Sequence, residues 1–413
     1  MRHVILGSGP AGVVAAETLR KADPAAEITL VCGEAGPPYS RMAIPYLLRG
    51  DIAEAGTHLR KDVDHYARLR IKLLQARATA VDTNARTVDV GGQSLPYDRL
   101  LIATGSRPSR ERIPGIDLPG VQACWTLDDA RAILAQARPG TRIVQMGAGF
   151  VGCIIMEGLL SRGVDLTILV RSGYMVRRMM NATASGMLRR WCEAKGVKIL
   201  THTQPTGLTA QGGVLQVALA DGRALPADIY LSAVGVDPNL DFLDGSGIAL
   251  GQGILEDPNL QSSVSGVYAA GDVAEATDCL TGKRQLNAIQ PNAVEQGRIA
   301  ALNMAGRPAR FKGSFVFNVL TTLGLVSSSF GEWQGVAGGE SAEVLDEVRY
   351  RYLNLQFDGD RLVGANTVGF TDHVGALRGL IEGQVRLGVW KQRLMADPTQ
   401  IMQAYLAAAH SVA

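Results

Sequence analysis

The stretch HVILGSGPAGVVAAETLR, residues 3–20, sets an apolar strand against the glycine pattern GxGxxG and runs on into an apolar helix. A second stretch, RIVQMGAGFVGCIIMEGLL at residues 142–160, repeats that order. The glycines are Gly7, Gly9 and Gly12 in the first loop and Gly147, Gly149 and Gly152 in the second. Each unit continues into a β-branched segment, EITLVCGE and DLTILVRS, so both read as β-α-β units of about 30 residues. The first glycine of such a loop permits the tight turn, the second lets backbone approach a pyrophosphate, and the third lets helix and strand pack closely. The unpaired amides of the helix N-terminus then face the phosphates. Pro10 and Ala11 in one loop, Phe150 and Val151 in the other, belong to the same cofactor cradles. One such pattern is weak; two in this context mark two dinucleotide sites.

The rest of the chain organises around them. Pro-rich segments, SRPSRERIPGIDLPG and VGVDPNL, bound the second unit near residues 113 and 236 and suggest an insertion. The expected fold class is α/β: two Rossmann-like dinucleotide-binding domains, the second inserted into the first, with a C-terminal α+β module. The domains are expected at 1–112 and 237–312 for the first, 113–236 for the second, and 313–413 for the interface or dimerisation module. In that module RYLNLQFDGDRLVGANTVG reads as a hairpin folded at Asp358-Gly359, with a helical tail beyond it.

Composition narrows the function by exclusion. The 413 residues carry 41 Lys plus Arg against 39 Asp plus Glu, a net charge of +2. That gives no electrostatic case for nucleic acid or an anionic membrane surface. Five cysteines, Cys32, Cys124, Cys153, Cys192 and Cys279, lie at least 29 residues apart, so no CxxC or zinc spacing exists, and reduced thiols in a cytoplasm are the expectation. Six dispersed histidines give no metal site. No apolar run reaches the ~20 residues of a membrane span.

The two units differ at the end of their second strands. The first ends at Glu34, 22 residues after Gly12, where a carboxylate can accept hydrogen bonds from ribose hydroxyls. The second ends at Arg171, 19 residues after Gly152, where a guanidinium can pair with a 2′-phosphate. NADPH is therefore favoured over NADH, with Arg177 and Arg178 adding positive charge or forming a solvated loop.

Four further strings complete a pattern: LLIATGSRPS with Ala103, Thr104 and Gly105; LSAVGVDPN with Gly235; GVYAAGDVAEA with Gly271 and Asp272; and QPNAVEQGRIAALNM with Gln290 and Glu295. With them, the chain resembles the FAD-dependent pyridine nucleotide-disulfide oxidoreductase superfamily. Within it, the chain looks most similar to rubredoxin and ferredoxin reductases, NADH oxidases, coenzyme A-disulfide reductases and the flavin part of assimilatory nitrite reductases. The resemblance covers residues 1 to about 312 closely. It implies that Gly7, Gly9, Ala11 and Gly12 hold the FAD pyrophosphate and that Glu34 binds the adenosine ribose. It places Ala80 against adenine through its backbone, Asp272 at the ribityl and phosphate groups, and Gln290 at the start of a helix directed at the flavin ring.

The segment PPYSRMAIPY, residues 37–46, decides the redox chemistry within this resemblance. In coenzyme A-disulfide reductases a similar string carries the redox cysteine, which falls here at Met42. A thioether forms no disulfide, so thiol relay at that position is excluded. In rubredoxin and ferredoxin reductases the segment carries a basic residue, matched by Arg41; the resemblance implies a cation near the flavin, and an ion pair within the fold is the structural alternative. Cys32 and Cys153 read as buried filler. Two departures stand out. Ile154 replaces a glutamate common after the second loop, with Glu157 one turn on, and Trp125 replaces an arginine before the Thr-x-x-Asp-Ala string.

Three functions follow. The first is an FAD-dependent NAD(P)H reductase passing electrons to a rubredoxin- or ferredoxin-type protein. The second is an oxidase or reductase of quinones or of sulfur or nitrogen compounds, and the third a non-enzymatic flavin-binding subunit or redox sensor. A homodimer through the C-terminal module is permitted by its apolar positions.

Overall fold

The computed structural model describes residues 1–410. The chain divides into two units. One comprises Met1–Ala43, Ile52–Arg107 and Val236–Phe315; the other comprises Ile44–Asp51, Pro108–Gly235 and the chain from Val316 onward.

The first unit is built on a five-stranded parallel sheet in the order Val267–Ala269, Arg99–Ile102, β1 (Arg2–Leu6), β2 (Glu27–Cys32), Ile71–Gln75. β1 is buried along all but its first residue, the near-continuous apolar run of a parallel strand covered on both faces. Between β1 and β2 runs α1 (Pro10–Ala22), which starts with proline in its first turn, where the missing amide is no loss. Its buried face is mostly small, with Ala11, Gly12, Ala15 and Ala16, and the helix Gln290–Met304 lies against it. A three-stranded antiparallel sheet, Ala78–Asp82, Thr87–Val90 and Gln93–Pro96, completes the unit's other layer.

His3, in β1, is 1 % exposed, and neither ring nitrogen has a hydrogen-bond partner among the described residues. Burial pushes its pKa down to about 4 from 6.5. The folded protein therefore holds His3 neutral while the unfolded chain protonates it, so stability is full above pH 6.5 and falls as pH drops toward 4. We expect His3→Val to remove roughly 2 kcal/mol of this acid sensitivity between pH 7 and pH 5. Chemical denaturation at pH 7 and pH 5 checks it; an unchanged pH slope in the variant refutes the assignment.

The second unit repeats the architecture. Its parallel sheet runs Lys198–Thr201, Asp165–Val170, Arg142–Met146, Ile229–Ser232, Val121–Gln122. The helix Phe150–Leu160 follows the second glycine loop and is buried through Cys153, Ile155, Met156 and Leu159. The C-terminal segment adds a five-stranded antiparallel sheet in the order Phe317–Thr322, Leu325–Gly331, Arg361–Val368, Arg351–Asp358, Glu340–Asp346. Its hairpin turns at Asp358 and Gly359, with Asp358 opposite Arg361. A polar chain ties this sheet to the nucleotide-fold part of the same unit. The Asn181 amide nitrogen donates to Asn366 Oδ1 at 2.9 Å, Asn366 Nδ2 to the Met179 carbonyl at 2.9 Å, and Asn181 Nδ2 to Tyr352 Oη at 2.8 Å. The α/β class, with two Rossmann-like parts and a C-terminal α+β module, is what the structure shows. Among the described residues no helix is long and apolar enough to cross a membrane.

Candidate functional site

In the first unit the carboxyl ends of β1 and its neighbours gather most of the residues singled out from the sequence. Gly7 takes a positive φ of 104°, and a Cβ there would lie 2.1 Å from the Ala103 carbonyl oxygen, so only glycine lets the two strand ends meet. Gly9 has open space on its Cβ side, room for a ligand to approach backbone. Pro10, Ala11 and Gly12 form the first turn of α1, whose earliest intrahelical bond is Val13 N to Gly9 O at 3.0 Å. The amides before it are the orphan donors of a helix start. Thr104 and Gly105 follow Ala103; Asn239 Nδ2 donates to the Thr104 carbonyl at 2.9 Å and the Asn239 amide to the Gly105 carbonyl at 3.0 Å.

The Gly271-Asp272 turn is held from two sides. Ser106 Oγ donates to Asp272 Oδ2 at 2.8 Å, and the Gly271 amide donates to Gln296 Oε1 at 2.7 Å. Gln296 is 3 % exposed and was not singled out from the sequence, though it lies in the same helix as Gln290. Ser40 Oγ donates to Gln290 Oε1 at 3.2 Å, which brings the PPYSRMAIPY segment to the start of that helix.

Glu34 and Arg41 meet. Arg41 Nη2 donates to Glu34 Oε1 at 2.5 Å and Tyr39 Oη to Glu34 Oε2 at 2.5 Å, while Arg41 Nη1 reaches the Ser106 carbonyl at 3.2 Å. Burial and the adjacent carboxylate push the Tyr39 phenol up to about 12. Burial works to lower Arg41, and the adjacent Glu34 carboxylate outweighs it and raises it, so the guanidinium stays charged. Each Glu34 oxygen keeps a second lone pair for a ligand hydroxyl. Ala80 is in the antiparallel sheet, opposite Asp89.

The second unit repeats the cradle. Gly147 also has φ 104°, with its Cβ position 2.3 Å from the Ala233 carbonyl oxygen, next to the run leading to Gly235. Gly149 faces open space, and Phe150, Val151 and Gly152 open the helix. Beneath the loop Gln145 is fully buried, and its Nε2 donates to the carbonyls of Gly147 at 2.9 Å and Gly152 at 3.2 Å. Sequence reading passed over it because a lone glutamine in an apolar strand carries no pattern. Arg171 is exposed one residue past its strand, with exposed Arg177 and Arg178 on the following segment. That segment is tied to the loop by the Val176 amide, which donates to the Ala148 carbonyl at 2.7 Å. Glu157 is engaged by Arg49 Nη1 at 2.9 Å, an ion pair within this unit.

Four of the five thiols are buried, and Cys279 is half-buried. None of the five cysteines forms a disulfide, and burial raises the thiols of Cys32, Cys124, Cys153 and Cys192, with Cys124 and Cys192 at about 12. Met42 is 46 % exposed in the short turn Arg41–Ala43.

Two glycine cradles on parallel sheets, the first joined to a Gly-Asp turn and an acid at the end of β2, define a flavoprotein of the two-dinucleotide class. The chain belongs to the pyridine nucleotide-disulphide oxidoreductase family, whose profile matches residues 1–297. It is an FAD-dependent NAD(P)H oxidoreductase. It is 32 % identical over 405 residues to the epsilon subunit of the NADH-dependent phenylglyoxylate dehydrogenase of Aromatoleum evansii, covering 97 % of this chain and 96 % of that one. It is also 32 % identical over 307 residues to the ferredoxin–NAD(+) reductase component of the biphenyl dioxygenase system of Paraburkholderia xenovorans, covering 74 % of each. Among solved structures, putidaredoxin reductase in its covalent complex with putidaredoxin superposes with a TM-score of 0.91 over 99 % of both chains at 24 % identity, a likeness of fold.

Proposed function

We propose that this chain takes electrons from NAD(P)H and passes them from its flavin directly to an external protein of the ferredoxin or rubredoxin kind. The observation that carries this reading is Met42, which stands where thiol-relaying members of the family hold their cysteine. The buried, raised thiols elsewhere support it. Likeness over almost the whole length to a subunit of a larger dehydrogenase favours a protein partner over a small molecule. With a net charge of +2, docking to that partner should depend only weakly on salt.

FAD, when bound, accepts a hydride and releases electrons one or two at a time. The chain's own residues position and polarise. In our reading Gly7 to Gly12 offer backbone amides to the FAD pyrophosphate, Asp272 is aimed by Ser106, and Gln296 fixes the turn that carries it. Glu34, held by Tyr39 and Arg41, presents its remaining lone pairs to the ribose; Arg41 acts by positioning that acid and the Ser106 backbone. In the second unit Gly147 to Gly152 take the NAD(P)H pyrophosphate, and Gln145 keeps their carbonyls turned inward.

Gln145→Leu is expected to raise the KM for NAD(P)H about tenfold through loss of two hydrogen bonds, with flavin content unchanged. Steady-state kinetics and the flavin-to-protein ratio read this, and an unaltered KM removes Gln145 from the site. Arg171→Ala is expected to lower kcat/KM for NADPH by about tenfold or more while sparing NADH. Equal loss with both nucleotides would show that Arg171 does not read the 2′-phosphate.

An anaerobic titration with NADPH and with NADH, following flavin absorbance, tests the reading as a whole, followed by turnover with a ferredoxin, with quinone and with oxygen. Rapid reduction by nucleotide and fast turnover only with the protein acceptor is the expected result. Equally rapid turnover with oxygen alone overturns the electron-transfer assignment, and no reduction by either nucleotide overturns the reductase.

A further inference from the structure

The parallel strands Asp165–Val170 and Lys198–Thr201 end level with one another, Val170 opposite Thr201, so Arg171 and His202 are the first residues past neighbouring strand ends. In a sheet of this kind ligands meet the carboxyl ends of the strands. The two turns that follow are tied together. The His202 amide donates to the Ser172 carbonyl at 3.3 Å, and the Thr203 amide to the Val170 carbonyl at 3.1 Å. Ser172 folds its own turn, its hydroxyl donating to the Tyr174 carbonyl at 3.0 Å and accepting from the Tyr174 amide at 3.3 Å. Further on, Val176 is buried at a φ of 43°, a conformation that a β-branched residue rarely takes, where its amide bonds the Ala148 carbonyl of the glycine loop. Strain of this kind is retained where the surroundings impose it, and functional sites are where it gathers.

The His202 ring lies on the side-chain face of Gly173. A Cβ on that glycine would stand 3.0 Å from His202 Nε2 and 3.2 Å from Cε1, so the imidazole fills the space that a side chain at 173 would take. It is thereby held over the turn that Arg171 opens. Arg171 and His202 are both exposed, and among the described residues neither the guanidinium nor the ring has a hydrogen-bond or ion-pair partner. Residues 171–178 and 198–206 contain Arg171, Arg177, Arg178 and Lys198 and no Asp or Glu, so neither segment balances this positive charge.

We infer that His202 is a second specificity residue of the NAD(P)H site, donating a hydrogen bond to the 2′-phosphate with which Arg171 pairs. The inference rests on the reading of Arg171 given above. An imidazole has an N–H to donate whether it is neutral or protonated, and a phosphate monoester offers three terminal oxygens, more than one guanidinium fork engages. NADH lacks those oxygens, so the contact separates the two nucleotides instead of strengthening both.

The test is rapid-mixing reduction of the flavin-loaded protein by NADPH and by NADH, which gives a Kd and a limiting rate for each. His202→Leu is expected to weaken NADPH about tenfold and to leave the NADH Kd and both limiting rates within about twofold; His202→Gln, which keeps a donor, should lose less. Gly173→Ala should act in the same direction, because its Cβ displaces the ring. Adenosine 2′,5′-bisphosphate should weaken as a competitive inhibitor in each variant, and adenosine 5′-monophosphate should not. Arg171→Ala, measured in parallel, separates the two claims. A lowered NADPH preference in Arg171→Ala with none in His202→Leu overturns the role of His202 and leaves Arg171 standing; an unchanged preference in both overturns both. Equal weakening of NADPH and NADH in His202→Leu would make the ring a structural prop of the turn and overturns the inference too. If His202→Leu does not fold, Gly173→Ala and His202→Gln decide.

Discussion

Gly297→Val yields a protein that is purified with little or no flavin. The helix Gln290–Met304 crosses α1 at this residue with no side chain between them, and a Cβ on Gly297 would lie 2.3 Å from the Ala11 carbonyl oxygen. That contact is with backbone, so no rotamer relieves it, and the helix must move away. Overpacking of this kind costs about 3 kcal/mol or more. The displacement carries Gln296 with it, and with Gln296 goes the 2.7 Å bond that holds the Gly271 amide. Asp272 then loses its placement relative to the Gly7–Gly12 loop. The visible-to-ultraviolet absorbance ratio of the purified protein and its melting temperature measure both effects. Full flavin content with an unchanged melting temperature would refute the packing argument.

Glu256→Leu is expected to work in the opposite direction and stabilise the protein. Glu256 is 5 % exposed, and neither carboxylate oxygen has a hydrogen-bond partner among the described residues. Burial, together with Asp257, raises its pKa well above 4.5, against a smaller lowering by Arg284. The folded state therefore binds a proton that the unfolded chain releases. Stability from this group is present at low pH and declines as pH rises above about 4.5. Leucine removes an unsatisfied buried polar group, which is worth about 1–3 kcal/mol. Urea denaturation at pH 5 and pH 8 should show a gain for the variant that is larger at pH 8. A gain independent of pH would mean that the carboxyl is not titrating in the core, and a loss of stability would mean that it has an acceptor or donor in solution.

These two residues show where sequence reading stops. Gly297 sits in QPNAVEQGRIAALNM, a string that already pointed to a flavin helix, yet nothing local marks it as the point of contact with Ala11. Glu256 reads as an ordinary surface acid before Asp257 and Pro258. Glu34 and Arg41 were each legible, the one from its distance to Gly12 and the other from the segment around Met42. Their ion pair, shared with Tyr39, was not, because it depends on how residues 37–43 fold back over the end of β2. Gln145 was invisible for the same reason: its amide matters only because the loop's carbonyls turn down onto it.

The two β-α-β units, their order and the class of ligand they take were determined by the sequence alone. A glycine's positive φ, a helix start and a strand's apolar run are requirements satisfied within about 30 contiguous residues, so they leave a pattern that can be read in a line. Which helix touches α1 and which acid is sealed away from water were decided only by tertiary structure. Those facts rest on contacts between segments far apart in the chain, where burial and hydrogen-bond partners are set by packing and leave no local pattern.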